Sequence, residues 1–491
     1  MIFDIIRISN STTGGKRPTL SPFFSREIFY RVSNMIARLR LLLLASCISL
    51  MSACGGGGGG SSSSAAVPSG SSGQTSAGTS GSSSSSSSTS TSSSSTSTDS
   101  GSDDSDTTST SATGFNVPAM LTDIADKVII PNYESLATAA NAFAADTSSL
   151  ATYCSAIGSV DEASALAAAQ TEWLGVMAKI QLTEPHAVGP AGANDDTLRN
   201  RVLSYANVDL NTCGLDQSVA QQSSADFNLS TRSSNQRGFS AIEYLLYNTT
   251  LTHSCAPQIS ATSGWNELSE TSRKTQRCTY AQSLAIDVAD AASTIANEWS
   301  ATGGDYRATF VAEDSAGTSL QALTDVVIIH MDKEAKDRKV GIPTGVKAEC
   351  SSYSCADLIE SPYSETSLTN VRNNLVGFRE IFNGGDGVGF DDLINDADFA
   401  DITSSVQTKI ADAIANIDAA SVSLNDQATA INSETTASAC TNAYVSPDTS
   451  STDYSACSLT GLLKRITDVL KIEFVNIVDV NLPGSVQSDN D

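Results

Sequence analysis

From Gly55 to about Ser111 the chain is almost wholly Gly, Ser, Thr, Ala and Asp, with no aromatic residue and one large aliphatic side chain, Val67. So little apolar surface cannot offset the entropy of ordering the backbone, so this stretch is expected to stay disordered and act as a tether. It divides the chain into a leader over residues 1–54, a linker over 55–113, a folded region over 114–483 and a polar tail over 484–491. The folded region is long enough for one large helical unit or two packed bundles.

Apolar residues in that region recur at spacings of three and four. One stripe runs from Leu136 to Leu150, and others from Leu284 to Trp299, Leu320 to Met331, Leu368 to Phe382, Ile410 to Ile431 and Leu459 to Ile477. Each is one face of an amphipathic helix, and Pro is nearly absent inside them. No sustained period-2 alternation competes. The expectation is all-α, with helices bundled and loops at residues 185–196, 256–264, 302–305, 341–362, 383–389 and 433–458. LTDIADKVIIP near Leu121 and LTDVVIIHMDK near Leu323 echo each other faintly, as two related halves would.

The formal net charge is -26. Without residues 1–53 the remainder has 21 basic against 52 acidic side chains, a charge of -31. Such a surface repels nucleic acid and anionic lipid and suits self-repulsion or attraction of cations. Of ten Cys, Cys47 and Cys54 lie in the leader, leaving Cys154, Cys213, Cys255, Cys278, Cys350, Cys355, Cys440 and Cys457. Their even number, without CxxC or Cys/His zinc spacing, reads as disulfides. Connectivity is open from spacing alone. Pairing of chain neighbours is the expectation: Cys154–Cys213, Cys255–Cys278, Cys350–Cys355 and Cys440–Cys457.

From Met35 the leader reads MIARLRLLLLASCISLMSAC, followed by glycines. Arg38 and Arg40 precede an apolar run from Leu41 to Met51, too short to span a bilayer, and small residues precede Cys54. The pattern resembles a bacterial lipobox, which implies lipidation at Cys54. Cys47 fits the local box slightly better, but its apolar run would be only Leu41 to Ser46. The absence of Asp after Cys54 implies, by the same resemblance, a Gram-negative outer membrane. The linker's r.m.s. span is roughly 40 Å, so the domain can work away from the lipid surface.

The usual catalytic patterns are missing. His186, His253 and His330 form neither HxxxH nor HExxH, and there is no GxSxG elbow, P-loop or dinucleotide glycine pattern. A structural or solvent-exposed role is the default for each His. One segment stands apart, Arg237-Gly-Phe-Ser-Ala-Ile-Glu-Tyr-Leu-Leu246. It resembles the GxHxxE signature of the imelysin family, a group of peptidase-like and iron-uptake proteins. Gly238 and Glu243 match, and Ser240 stands at the His position. IIPNYESLATAA, EWLGVMAKIQLTEPHAVGP, the stretch from Glu360 to Gly384 with Ser361, Ser364, Leu368, Asn374 and Gly377, and LKIEFVNIVDVNLP extend the likeness over residues 117–482.

The resemblance implies two packed helical bundles with a groove lined by the motif helix. It also implies iron acquisition at the cell envelope or, in some members, peptidase activity. His and Glu at i and i+3 share a helix face and can reach one metal ion, whereas a serine hydroxyl is a poor ligand for a divalent transition metal. Glu243 is then a single candidate ligand for iron or another divalent metal, held loosely. Three readings stand: a lipid-anchored binding or accessory protein working with an envelope metal-uptake partner, an imelysin-type metallopeptidase, and a non-catalytic structural or protein-binding module.

Overall fold

Asn116 caps the first described helix by accepting a hydrogen bond from the backbone of Ala119, with a proline in the first helical turn. The structure, a computed structural model, describes residues 114–206, 209–450 and 452–487. The leader, with Cys47 and Cys54, and the tether over residues 55–113 lie outside the described residues. Among the described residues there is no strand.

The first half carries α1 (Val117–Ile124), α2 (Ile130–Ala144), α3 (Ser149–Ala156), α4 (Glu162–Thr183), α5 (Ala193–Val202), α6 (Thr212–Gln221), α7 (Gly238–Tyr247) and α8 (Glu270–Trp299). The second carries α9 (Ala316–Ile329), α10 (Ser367–Phe382), α11 (Ala400–Asp418), α12 (Glu434–Val445) and α13 (Ser455–Val469), joined by shorter turns. Helices α2, α3, α4, α7 and α8 pack as one bundle, and α10, α11 and α13, with the 330–341 segment that continues α9, as another. The bundles meet where α4 crosses α10. At that crossing a Cβ on Gly377 would lie 2.1 Å from the Leu182 carbonyl oxygen, so only glycine admits the approach. One continuous apolar core serves both bundles, and a small satellite of Ile431, Cys440, Ala443 and Cys457 sits apart from it.

Three long rods contain π-helical runs, at Ala125–Ile129, His330–Gly341 and Leu470–Phe474. The i→i+5 bonding is explicit where the Ile342 amide donates to the Asp337 carbonyl at 2.8 Å. Each run shifts the inward face of its helix relative to α-helical spacing. The echoing LTD segments both pass from an α-helix into such a run.

The structure departs from several expectations. The stripe from Leu136 to Leu150 is two helices, because Ala145 is extended and Ser148 caps α3 by accepting from Ala151 at 3.1 Å. The stripe from Ile410 to Ile431 breaks likewise, with Ser423 capping a new helix, Leu424–Ala430. Residues 433–458, expected as a polar loop, contain α12, whose Ser433–Thr436 capping box starts a helix with only Cys440 and Ala443 buried. So narrow an inward face gives no visible stripe in the sequence. Beyond residue 484 the expected tail begins with a short helix, Gly484–Gln487, that buries Val486.

The disulfides are Cys154–Cys278, Cys213–Cys255, Cys350–Cys355 and Cys440–Cys457. The expected Cys154–Cys213 and Cys255–Cys278 pairs are therefore corrected. Helices α3 and α8 pack side by side, which brings Cys154 to Cys278 with Cα atoms 5.6 Å apart. The start of α6 lies against the chain at Cys255, whose Cα is 4.6 Å from that of Cys213. Non-reducing peptide mapping should recover these four pairs. Replacing Cys154 and Cys278 together by Ala should cost about 2–3 kcal/mol more stability than replacing Cys350 and Cys355, because the longer bridge restrains far more of the unfolded chain.

Candidate functional site

The motif helix α7 is held at its start. Arg237, just before it, clasps Asp287 of α8 through hydrogen bonds of 2.6–3.1 Å. Gly238 has φ +75°, and a Cβ there would meet the backbone of Arg201, Val202 and Ser204 at 3.1–3.2 Å. Glycine lets the chain at 201–205 lie directly on the start of α7.

Ser240 and Glu243 are both fully buried. Ser240 Oγ shares a hydrogen bond with Ser204 Oγ at 2.6 Å and accepts the Tyr205 amide at 3.3 Å. One turn further on, Glu243 Oε1 accepts from the Tyr363 amide at 3.0 Å, the Ser364 amide at 2.8 Å and the Ser364 hydroxyl at 2.9 Å. Burial pushes the Glu243 carboxyl up to about 7, against the pull of these donors. Tyr205 is its neighbour, and burial with the charge of Glu243 holds that phenol well above the usual range.

The two motif positions thus share a helix face yet serve different neighbours. A histidine in place of Ser240 would enter space held by Ser204 and Tyr205, so Ser240→His would overpack the site by about 1–3 kcal/mol rather than simply restore a ligand pair. Among the described residues no three His, Cys, Asp or Glu side chains gather closely enough to hold a metal ion. The three histidines are dispersed. His186 is buried and bonds the Gly377 carbonyl at 3.1 Å, with burial lowering it to about 4. His330 is buried beside Glu184 and is lowered to about 3 by burial. His253 sits in the 248–259 loop, its amide donating to Asn266 at 3.1 Å.

A second group of polar residues lies between the bundles, and only position-by-position resemblance hinted at part of it. Lys339, in the His330–Gly341 run, donates to Glu184, to Gln181 Oε1 at 2.6 Å and to Glu360 at 3.2 Å. Gln181 bonds Glu360 at 2.8 Å, and Asn374 reaches Gln181 and Glu184 at 3.1 Å. Burial would raise the Glu184 carboxyl, but Lys339, with His330 and Arg199, wins and holds it near 2. Glu360 and Ser361, to which Asn370 donates at 3.0 Å, begin the loop that continues into the donors of Glu243. Isolated Glu, Lys and Asn on separate helices carry no pattern, so this network was not legible as a unit.

The profile of the imelysin family, peptidase M75, matches residues 129–446. Among solved structures, an imelysin-like protein from Psychrobacter arcticum 273-4 superposes with a TM-score of 0.52 at 16% identity, over 75% of this chain and 97% of that one. A protein described as an iron-regulated protein A precursor, from Parabacteroides distasonis ATCC 8503, gives 0.49 at 16% identity, over 74% and 96%. No curated protein matches.

A carboxyl raised from 4.5 to about 7 binds a proton more tightly folded than unfolded. Its contribution to stability is present at acid pH, declines as pH rises from about 4.5 to about 7 and is lost above that. Urea midpoints of wild type and Glu243→Gln should therefore diverge with rising pH, the glutamine variant gaining on the order of 3 kcal/mol between acid and neutral conditions. A flat difference would show that Glu243 binds its proton equally well in the folded and unfolded chain. Lys339→Met should cost about 3–5 kcal/mol at neutral pH, because it strands Glu184 and Glu360 without their central cation.

Proposed function

This chain belongs to the imelysin family, and we propose that it is a lipid-anchored binding or accessory protein of iron acquisition at the cell envelope, not a peptidase. The observation that carries the choice is the engagement of Ser240 by Ser204 and Tyr205, with Glu243 Oε1 taken by three donors from residues 363–364. Metal-assisted peptide hydrolysis needs about three protein ligands and an open position for the water it activates. The His–Glu pair that would begin such a site is replaced here, and no step is assigned to a metal-bound water.

The charge of -31 outside residues 1–53 favours attraction of cations over anionic partners. The leader ending at Cys54 and the Ser/Gly/Thr linker support anchoring through a diacylated cysteine, at the outer membrane. No described helix is long and apolar enough to cross a membrane. A tether and a lipid anchor suit a protein that meets its partner near the bilayer.

Mass spectrometry of the protein extracted from its native envelope should find acylation at Cys54. A strain lacking the protein should grow poorly when iron is limiting, with rescue by wild type and reduced rescue by Cys54→Ser. Chelator-sensitive peptide cleavage by the purified chain, or unimpaired growth of the deletion strain in low iron, would overturn this function.

A further inference from the structure

We propose that Lys333, Lys336, Lys347 and Lys471 form a receiving site for the acidic segment Ser488-Asp489-Asn490-Asp491 of this same chain, whose two aspartates pair with them. The site lies on the second bundle, apart from the motif helix, and takes no metal.

Local charge at this place runs against that of the whole chain. Outside residues 1–53 the protein carries -31, yet here four lysines converge on Asp332 and Asp337. Lys336 reaches these two at 2.9 and 3.4 Å, and Lys333 at 3.5 and 3.7 Å. Lys347 meets Asp337 at 3.3 Å, and Lys471 meets Asp332 at 3.1 Å. The side chains of Lys336 and Asp332 are fully buried, and those of Lys347 and Lys471 nearly so. Four ammonium groups thus share two carboxylates among the described residues. Burial, with the charge of Lys471, holds the Lys336 ammonium below its ordinary range in spite of Asp337 and Asp332. A further carboxylate brought to the group relieves the mutual repulsion of the lysines and adds to the pairing that buried ions need.

The path of the chain brings that carboxylate source close. Lys471 lies against Asp332, and further along Asn481 exchanges two hydrogen bonds of 2.8 Å with the Gln321 side chain of α9. The short helix Gly484–Gln487 then packs on α9, with Val486 buried. Helix α9 continues directly into the run that bears Lys333 and Lys336. Gln487 is therefore held on the same rod as two of the four lysines, and the acidic segment follows it at once. Four extended residues cover about 13 Å, more than two helical turns of that rod. Asp489 and Asp491 are two positions apart, so an extended segment turns both carboxylates to one side and can address two lysines together. A segment tied this closely acts at a high effective concentration, on the order of millimolar, which favours it over dilute anions from solvent.

The test is treatment of the full chain with a carbodiimide, which joins carboxylates to amines in contact, followed by mass-spectrometric mapping. Asp489 or Asp491 should be recovered linked to Lys333, Lys347 or Lys471 within one chain. Asp489→Asn and Asp491→Asn, made together, should abolish these products. The same pair of changes should lower Tm in low salt by about 2 °C or more, by a margin that shrinks in about 0.5 M sodium chloride. Lys347→Gln should lower Tm as well, and all three changes together should lower it by less than the sum of the separate shifts. Citrate should raise the Tm of the asparagine variant more than that of wild type, because it enters the place the aspartates have left. Wild type without tail-to-lysine products, products that join only two different chains, an unchanged Tm in the asparagine variant, or additive shifts would each overturn the assignment. An equal response to citrate would overturn it too, since the lysines would then be open to solvent anions with the tail intact.

Discussion

Lys339 is where the two bundles are tied together. Its ammonium group lies in the interior, within reach of Glu184 at the end of α4, Gln181 one turn earlier and Glu360 in the loop before α10. A buried charge is tolerated only when it is paired and its remaining hydrogen-bonding positions are filled. Here the pairing partners come from two stretches of chain distant from Lys339 itself, so the charge is satisfied only in the assembled fold. The requirement fixes the end of α4 against the π-helical run and the 360–364 loop together. The close crossing at Gly377 lets α10 approach near enough for Asn374 to join the same network.

The motif helix depends on that arrangement at one remove. Glu360 anchors the loop on Lys339, and the same loop turns through Ser361 at φ +54° to offer the amides of Tyr363 and Ser364 to Glu243. Glu243 is thus a brace between α7 and the loop that leads into the second bundle. At the position where the family signature has histidine, Ser240 is engaged by Ser204 and the Tyr205 amide.

The π-helical runs explain why so many polar residues point inward from one rod. Between His330 and Gly341 the buried set includes His330, Asp332, Lys336, Asp337 and Lys339, a pattern that fits no single α-helical stripe. With about one extra residue per turn, the run carries the inward face past the positions where a regular helix would return to it. Lys471, in the third run, meets Asp332 at 3.1 Å, so two of these segments are joined by a buried ion pair. Charged residues concentrate there because they pair both within the run, as Lys336 does with Asp332 at 2.9 Å, and with neighbouring segments, as Lys339 does with Glu184 and Asp332 with Lys471.

Much of the architecture is readable from local pattern. The stripes at 284–299, 368–382 and 459–477 fall on α8, α10 and the last long rod because burying one apolar face per helix is a property of the segment itself. The tract after Cys54 separates linker from folded chain by composition, and the order of motifs, with Gly238 and Glu243 at its centre, points to the family. The breaks at Ala145 and before Ser423, the helix at 434–445 and the partners of Cys154 and Cys213 are not readable in that way. Each depends on which neighbour supplies a cap, a buried face or a second sulfur. The same holds for the site: Ser240 and Glu243 are visible three residues apart, but Tyr205 and Lys339 take their places only when distant segments pack. An apolar periodicity is a one-dimensional signal, whereas the satisfaction of a buried polar atom is settled by whatever the fold brings within about 3 Å of it.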